Sequence, residues 1–144
     1  MESSWLLPDL EDPDGRPFWE WTARGELRMQ HCADCGRVRM PPRPMCPGCG
    51  SRRDEWKRMS GRGKIWSFVV AHPPLLAAFE RVAPYNVVVV ALDEDPSLRL
   101  VGNLVAGADG AINSVDPSTI RIGEPVRVVF QKVDDVSLPR WVRS

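Results

Sequence analysis

The sequence predicts a mainly β protein with a short N-terminal helix, a four-cysteine ribbon and a small closed barrel of five strands. All four cysteines lie between residues 32 and 49, and long β-branched and aromatic runs begin only after Gly61. These runs alternate with turn signals and no long helical pattern interrupts them, which is typical of a barrel. A chain of 144 residues suits one domain with an appendage and excludes a large multi-step enzyme.

The N-terminal segment, residues 1–25, is predicted to hold one short helix. Asp14 is its candidate N-cap, Pro17 suits the first turn, and Gly25 ends the pattern. The aromatic side chains of this helix are Phe18, Trp19 and Trp21. A helix this short cannot hide all three. They either pack on the protein's own body or dock on a partner protein, because aromatic anchors dominate protein interfaces.

The ribbon, residues 26–59, carries two C-x-x-C-G segments, one with Cys32 and Cys35 and one with Cys46 and Cys49. Two thiolates three residues apart on a tight turn can bind one metal together, and the following glycine allows the positive φ that turns backbone amides toward sulfur. Four thiolates fill a tetrahedral site and leave no position for substrate. The sequence therefore predicts one structural Zn²⁺ per chain, with rubredoxin-like iron as the alternative and His31 outside the ligand set.

The barrel is predicted over residues 60–138, with residues 139–144 as a C-terminal tail. Strands are expected at 64–72, 85–92, 98–105 and 124–133. A helical turn at 116–119, between the third and fourth strands, is typical of an OB-fold. Trp66 and Phe68 stand two apart in the first strand, so they are expected on one face, most simply in the barrel core.

Charge and composition narrow the function classes. The chain has 19 basic and 19 acidic residues, so its net charge draws it to neither nucleic acid nor an anionic membrane. The distribution is uneven, because residues 1–20 are acidic and residues 37–64 are basic. No targeting or membrane-spanning pattern is visible. We expect a cytoplasmic protein, and in that reducing compartment the cysteines should bind metal rather than form disulfides.

The sequence shows no combination of residues that is typical of a catalytic site. The cysteines are committed to metal, and His31 and His72 are the only histidines. His72 is expected to satisfy a strand end, with proton transfer or a coenzyme A contact as the alternative. The acidic run at 93–95 is expected to be a solvated turn. We therefore expect that the chain is not an enzyme on its own.

A family resemblance rests on an ordered set of motifs. After the aromatic helix come C-x-x-C-G, a proline-rich loop, C-P-x-C-G and the run GRGKIWSF at 61–68. Pro84-Tyr85, Gly102-Asn103 and Ile122-Gly123-Glu124-Pro125 follow in order. Over residues 16–133 the chain resembles the family known as domain of unknown function thirty-five, a rubredoxin-like zinc ribbon followed by an OB-fold and associated with acyl-CoA metabolism.

This resemblance implies an accessory subunit of a thiolase-fold enzyme, such as a thiolase or a lipid-transfer-protein-like aldolase of steroid side-chain degradation. It implies a hetero-oligomer, for which two copies flanking a dimeric enzyme core is the symmetric expectation. The basic stretch suggests that Arg37, Arg39 and Arg43 contact the phosphates of coenzyme A. The alternatives are a single-stranded nucleic-acid-binding protein and a stand-alone acyl-CoA-binding module.

Overall fold

A computed structural model describes residues 5–144; residues 1–4 of the predicted N-terminal segment lie outside the described residues. Its helices and strands are α1 Arg16–Thr22, β1 Arg28–Cys32, β2 Val38–Arg39, β3 Asp54–Arg58, β4 Arg62–Ala71, α2 Ala77–Glu80, β5 Tyr85–Leu92, β6 Arg99–Gly102, β7 Pro125–Val133 and β8 Val136–Arg143. A single 3-10 turn, Pro117–Thr119, precedes β7. The strands form two sheets, which confirms a mainly β fold with a short N-terminal helix.

Helix α1 has Gly15 at its N-cap position and no side-chain cap hydrogen bond, so the predicted cap was wrong. Asp14 does not cap it; the carboxylate of Asp12 accepts from the N–H groups of Asp14 at 3.4 Å and Gly15 at 3.2 Å. These two bonds stabilise the turn that precedes the helix, because Asp14 and Gly15 both stand before its first residue, Arg16. Gly25 ends the segment with a φ of 77°.

The ribbon is a three-stranded antiparallel sheet in the order β2-β1-β3. In β1, Met29 and Gln30 are buried while the flanking residues are half-buried, and all five residues of β1 pair with β3. The long loop between β2 and β3 carries the proline-rich stretch and the second cysteine pair.

The barrel sheet has the order β6-β5-β4-β7-β8. It closes where the segment after β6 runs beside β8: Leu104 bridges Trp141 in parallel, and the N–H of Val105 donates to the Trp141 carbonyl at 2.8 Å. The 3-10 turn lies between the third and fourth barrel strands, where the OB-fold places its helical element. The structure thus confirms a near-closed five-stranded barrel.

Strand β8 occupies most of the residues that the sequence assigns to a tail. It begins after a tight turn at Asp134, whose φ is 54°, and continues through Pro139 to a fully buried Trp141. Pro139 lies in the middle of this strand. A proline is tolerated there because β8 is the last strand in the hydrogen-bonded order.

A β-bulge separates Trp66 from Phe68. The register of β4 against β5 shifts between Ile65 and Ser67, so Trp66 is the extra residue. The expectation that Trp66 and Phe68 share one face was therefore wrong: Phe68 packs against the core, whereas Trp66 is half exposed. Residue alternation is broken wherever a bulge inserts one position.

The ribbon and barrel share one hydrophobic core. Phe18 of α1 and Met29 of β1 belong to the same buried cluster as Ile65, Leu100 and Trp141 of the barrel. Burial of this shared surface holds the N-terminal helix and the ribbon against the barrel.

Candidate metal centre and its surroundings

Two backbone turns position the four cysteines. Gly36 and Gly50 have φ values of 80° and 78°, and their N–H groups donate to the carbonyls of Cys32 and Cys46, each at 2.9 Å. Only glycine adopts this left-handed conformation without strain, so the residue after each C-x-x-C closes its turn. Asp34 of the first turn accepts from Ser51 and pairs with Arg53 after the second, which ties the two turns together.

The four sulfur atoms form one cluster. All of them lie within 4.8 Å of one another, with 3.5 Å between Cys32 Sγ and Cys49 Sγ and 3.6 Å between Cys35 Sγ and Cys46 Sγ. Four thiolates around a tetrahedral metal at about 2.3 Å would be about 3.8 Å apart. The cysteines therefore fit one four-coordinate metal ion, with Cys32 and Cys46 buried and the other two at the surface.

Backbone amides favour the thiolate form of two cysteines. The N–H of Cys35, assisted by that of Asp34, lowers the pKa of Cys32 to about 6 against the opposing effect of burial. The N–H groups of Cys49 and Gly48 lower the pKa of Cys46 in the same way. The N–H of Ser51 also lowers the pKa of Cys49, but hydrogen bonds with the other thiols and burial outweigh it and raise that pKa to about 12. A metal binds thiolates, so amides directed at sulfur help to assemble the site.

His31 lies beside the cluster but does not join it. Its Nε2 atom is 3.4 Å from a carboxylate oxygen of Glu55, on the neighbouring strand β3. Among the described residues, the four cysteines form the group that could hold a metal ion.

The three arginines proposed to contact coenzyme A do not share a surface. Arg37 is exposed and its guanidinium lies over Gly48, and Arg43 is also exposed. Arg39 is buried: its Nη2 donates to the carbonyl of Arg43 at 3.0 Å and lies 3.9 Å from Asp54. The structure therefore gives Arg39 a role inside the ribbon, holding the loop that carries Arg43.

Gln30 holds the same loop from β1. Its amide Nε2 donates to the carbonyl of Arg43 at 2.9 Å, and the N–H of Arg43 donates to its Oε1 at 2.7 Å. The Gln30 side chain thus hydrogen-bonds the loop before Cys46 as the backbone of a neighbouring strand would. Nothing in the spacing of the sequence marks Gln30, because its partner lies 13 residues away in an irregular loop.

The aromatic helix residues have separate roles. Phe18 is buried in the core and meets Trp19 edge-on, with ring centroids 4.9 Å apart. Trp21 is half-buried and packs beneath the guanidinium of Arg28, which is 3.8 Å from its ring centroid. Phe18 is thus unavailable to a partner in this fold, while Trp19 and Trp21 keep part of their surface exposed.

The groups considered for catalysis do not assemble among the described residues. His72 is exposed at the end of β4. Glu94 accepts hydrogen bonds from Ser60, and Asp95 accepts from Ser97. The hydroxyl and the N–H of Ser97 lower the pKa of Asp95, as expected for a carboxylate that stabilises a turn. No helix in residues 5–144 is long and apolar enough to cross a membrane.

Two family models match consecutive parts of the chain. The rubredoxin-like zinc ribbon domain of ChsH2 matches residues 19–55, and the C-terminal OB-fold domain of ChsH2 matches residues 56–131. The chain belongs to the ChsH2 family. It is also 35% identical to a DUF35 domain-containing scaffold protein of Methanothermobacter thermautotrophicus, over 76% of this chain and 75% of that protein. These matches confirm the resemblance read from the motifs.

Two curated relatives are larger proteins. The 3-oxo-4,17-pregnadiene-20-carboxyl-CoA hydratase alpha subunit of Mycobacterium tuberculosis is 34% identical over 94% of this chain and 42% of its own length. A probable enoyl-CoA hydratase alpha subunit of Thermomonospora curvata is 39% identical over 85% of this chain and 35% of its own length. The chain thus spans less than half the length of each of these relatives.

Two solved structures share the architecture of this ChsH2-family chain. One chain of the Ltp2-ChsH2(DUF35) aldolase superposes with a TM-score of 0.80 at 34% identity, covering 94% of this chain and 98% of that one. A DUF35-family protein of unknown function from Sulfolobus solfataricus superposes with a TM-score of 0.59 at 13% identity, covering 92% and 87%. The second likeness concerns the fold alone.

Proposed function

We propose that this ChsH2-family chain is a non-catalytic accessory subunit of a thiolase-fold acyl-CoA enzyme. The observation that carries the proposal is the match, over nearly the full length of both chains, to one chain of the Ltp2-ChsH2(DUF35) aldolase. The partner reaction is carbon–carbon bond cleavage, retro-aldol or thiolytic, in lipid or steroid side-chain degradation. The hydratase-subunit relatives, one of them named for a steroid CoA thioester, support this substrate class.

The chemistry of the chain's own residues favours support over catalysis. Its metal site has four protein thiolates, which would leave no position on a tetrahedral ion for water or substrate. We propose one Zn²⁺ per chain, with a structural role. The metal would connect two turns that otherwise contribute few side chains to the core. Reduced thiolates of this kind suit the cytoplasm, where we place the complex.

We further propose that the chain shapes the entrance through which acyl-CoA reaches the enzyme. Arg37 and Arg43 project from the ribbon surface, and guanidinium groups bind phosphate in a planar, bidentate manner. A paired charge reversal, Arg37→Glu with Arg43→Glu, should raise the KM of the complex for acyl-CoA without changing kcat. Arg52→Glu is the matched control, because Arg52 is an exposed arginine of the same ribbon. An unchanged KM in the paired variant would remove these arginines from the CoA site.

The experiment that tests the function is purification of the tagged full chain from its native host, with protein identification, metal analysis and mass measurement of the complex. We expect a stoichiometric thiolase-fold subunit, one zinc per chain, and a mass equal to two accessory chains on an enzyme dimer. Cleavage of an acyl-CoA substrate should require both subunits. Iron in place of zinc would correct the metal assignment alone.

Two outcomes would replace the proposal. Recovery of nucleic acid, together with tight, salt-dependent binding of a single-stranded oligonucleotide by the isolated chain, would favour the nucleic-acid-binding alternative. Micromolar binding of acyl-CoA by the isolated chain in calorimetry, with no enzyme subunit recovered, would favour a stand-alone acyl-CoA-binding module.

A further inference from the structure

The outer face of the barrel sheet carries an exposed apolar surface that the fold does not use. The outer sheet face, as we define it, consists of Trp66 and Val69 on β4, Val87 and Val89 on β5, and Arg99 and Val101 on β6. Cross-strand pairs join Val69 to Val87 and Val89 to Val101, so these side chains point to one side. Trp66, Val69 and Val101 are 50%, 61% and 67% exposed.

The β-bulge in β4 places Trp66 on this face. Trp66 and Arg99 lie on strands separated by β5, yet the Arg99 guanidinium is 3.8 Å from the ring centroid of Trp66. The two side chains therefore reach toward each other across the intervening strand and form an exposed cation–π pair. Tryptophan and arginine are the residue types most enriched among interface residues that dominate binding energy.

Two apolar grooves extend the outer sheet face. One, of about 420 Å³, runs between the barrel and the ribbon and is lined by Pro41, Pro42 and Val101 among others. The other, of about 340 Å³, is lined by Trp5, Phe79 and Val101 among others. Val101 belongs to both, so the two grooves and the face form one continuous surface. A continuous exposed apolar surface of this kind marks an interaction site.

Charge on the face restricts what can cover it. Lys64 and Arg99 both pair with Ala91, so they flank an uncharged residue on the outward side of β5. Neither cation has a carboxylate within 4.0 Å among residues 5–144. A symmetric pairing of two copies through this face would bring like charges together. The surface that covers it should instead be apolar with acidic groups at its edge.

We propose that the outer sheet face docks the enzyme subunit of the complex, through an apolar patch bordered by carboxylates. This inference rests on the proposed function. A protein partner fits better than single-stranded nucleic acid. The face is mainly valine, and the guanidinium of Arg99 already lies over the ring of Trp66. Binding of single strands relies on free aromatic platforms on which bases stack.

The test compares Val101→Glu and Trp66→Glu with Ile122→Glu in the full chain. Ile122 is 68% exposed and lies in the loop before β7, outside the outer sheet face, so it matches Val101 in size and exposure. Binding to the purified thiolase-fold subunit that accompanies the wild-type chain is measured by surface plasmon resonance. We expect Kd to rise at least about tenfold for each face variant and less than about twofold for the control.

Further measurements decide the interpretation. Metal content and thermal unfolding of each variant must match the wild type, and Val101→Glu alone suffices if Trp66→Glu does not fold. Lys64→Glu should slow association most at low salt, because steering by exposed charge is screened by ions. A labelled oligonucleotide serves as the competing probe, and light scattering of the isolated wild-type chain reports self-association.

The outcomes separate this inference from the proposed function. Capture of the enzyme subunit by the wild type and equally by both face variants would overturn the docking face alone. Capture of no thiolase-fold subunit by the wild type would overturn both. Oligonucleotide binding, or a dimer of the isolated chain, that is lost in Val101→Glu would assign the face to another occupant and overturn the inference.

Discussion

Replacing Asn86 by leucine would test whether one buried amide completes the barrel. Asn86 is fully buried in β5, opposite the chain just beyond the end of β6. Its Nδ2 donates to the Leu104 carbonyl at 2.9 Å, and the Leu104 N–H donates to its Oδ1 at 2.7 Å. The backbone pairing between β5 and β6 ends before this point. The Asn86 side chain therefore supplies the hydrogen bonds that a paired strand would give to Leu104.

The expected loss follows from the groups left without partners. Leucine has the same branched side-chain skeleton but cannot hydrogen-bond, so the N–H and C=O of the fully buried Leu104 would both be orphaned. Each unsatisfied buried group costs about 1–3 kcal/mol. We expect the free energy of unfolding to fall by about 2–4 kcal/mol, which corresponds to a Tm lowered by roughly 5–15 °C for a domain of this size.

The assay is urea unfolding of both proteins with metal held at the same excess. Asn113→Leu is the matched control, because Asn113 is exposed and adds the same apolar group at the surface. The control should change the free energy of unfolding by less than about 0.5 kcal/mol. A loss below about 1 kcal/mol in Asn86→Leu, with an unchanged m value, would refute the view that this amide holds the segment that closes the barrel.

Three other perturbations address the metal site and the close packing of the sheet. Cys46→Ser should lose the metal and expose the ribbon to trypsin, because three thiolates no longer close the site; full metal content with wild-type protease resistance would contradict this. In urea unfolding, Gly63→Ala should lower the free energy of unfolding by about 1–3 kcal/mol, because the added Cβ would lie 2.5 Å from a backbone oxygen. Gly107→Ala is the control and should be neutral, because its Cβ would meet no atom within 4 Å. Gln30→Ala should speed metal transfer to a chelator by freeing the loop before the second cysteine pair, while Gln131→Ala in the barrel should not; equal transfer rates would place the restraint elsewhere.

The local features of this chain could be predicted because each depends on neighbours in sequence. The spacing of Cys32, Cys35, Cys46 and Cys49 predicts a four-sulfur site, since a C-x-x-C-G turn closes by itself once its glycine adopts positive φ. The β5 strand, Tyr85–Leu92, was predicted with the bounds that the structure shows, because a β-branched run has one stable conformation in a half-buried sheet. The ordered motifs were enough to indicate the family.

Features that depend on distant contacts escaped prediction. Strand β8 contains a proline, and it becomes a strand because β7 offers a full antiparallel partner and Trp141 fills the core. Arg39 reads as one of several surface cations, yet tertiary packing buries it against the backbone of Arg43. Neither outcome is encoded in a local pattern, because burial is decided by which surfaces meet.

The amino-acid sequence alone determined that this chain holds a four-cysteine ribbon followed by a small β-barrel. Only the tertiary structure decided which side chains remain available to a partner. Phe18 disappears into the core, while a single-residue bulge turns Trp66 outward to meet Arg99. The physical reason is that side chains alternate between the two faces of a strand only as long as its register is regular. The register depends on both paired strands, so one strand's sequence does not show where it shifts.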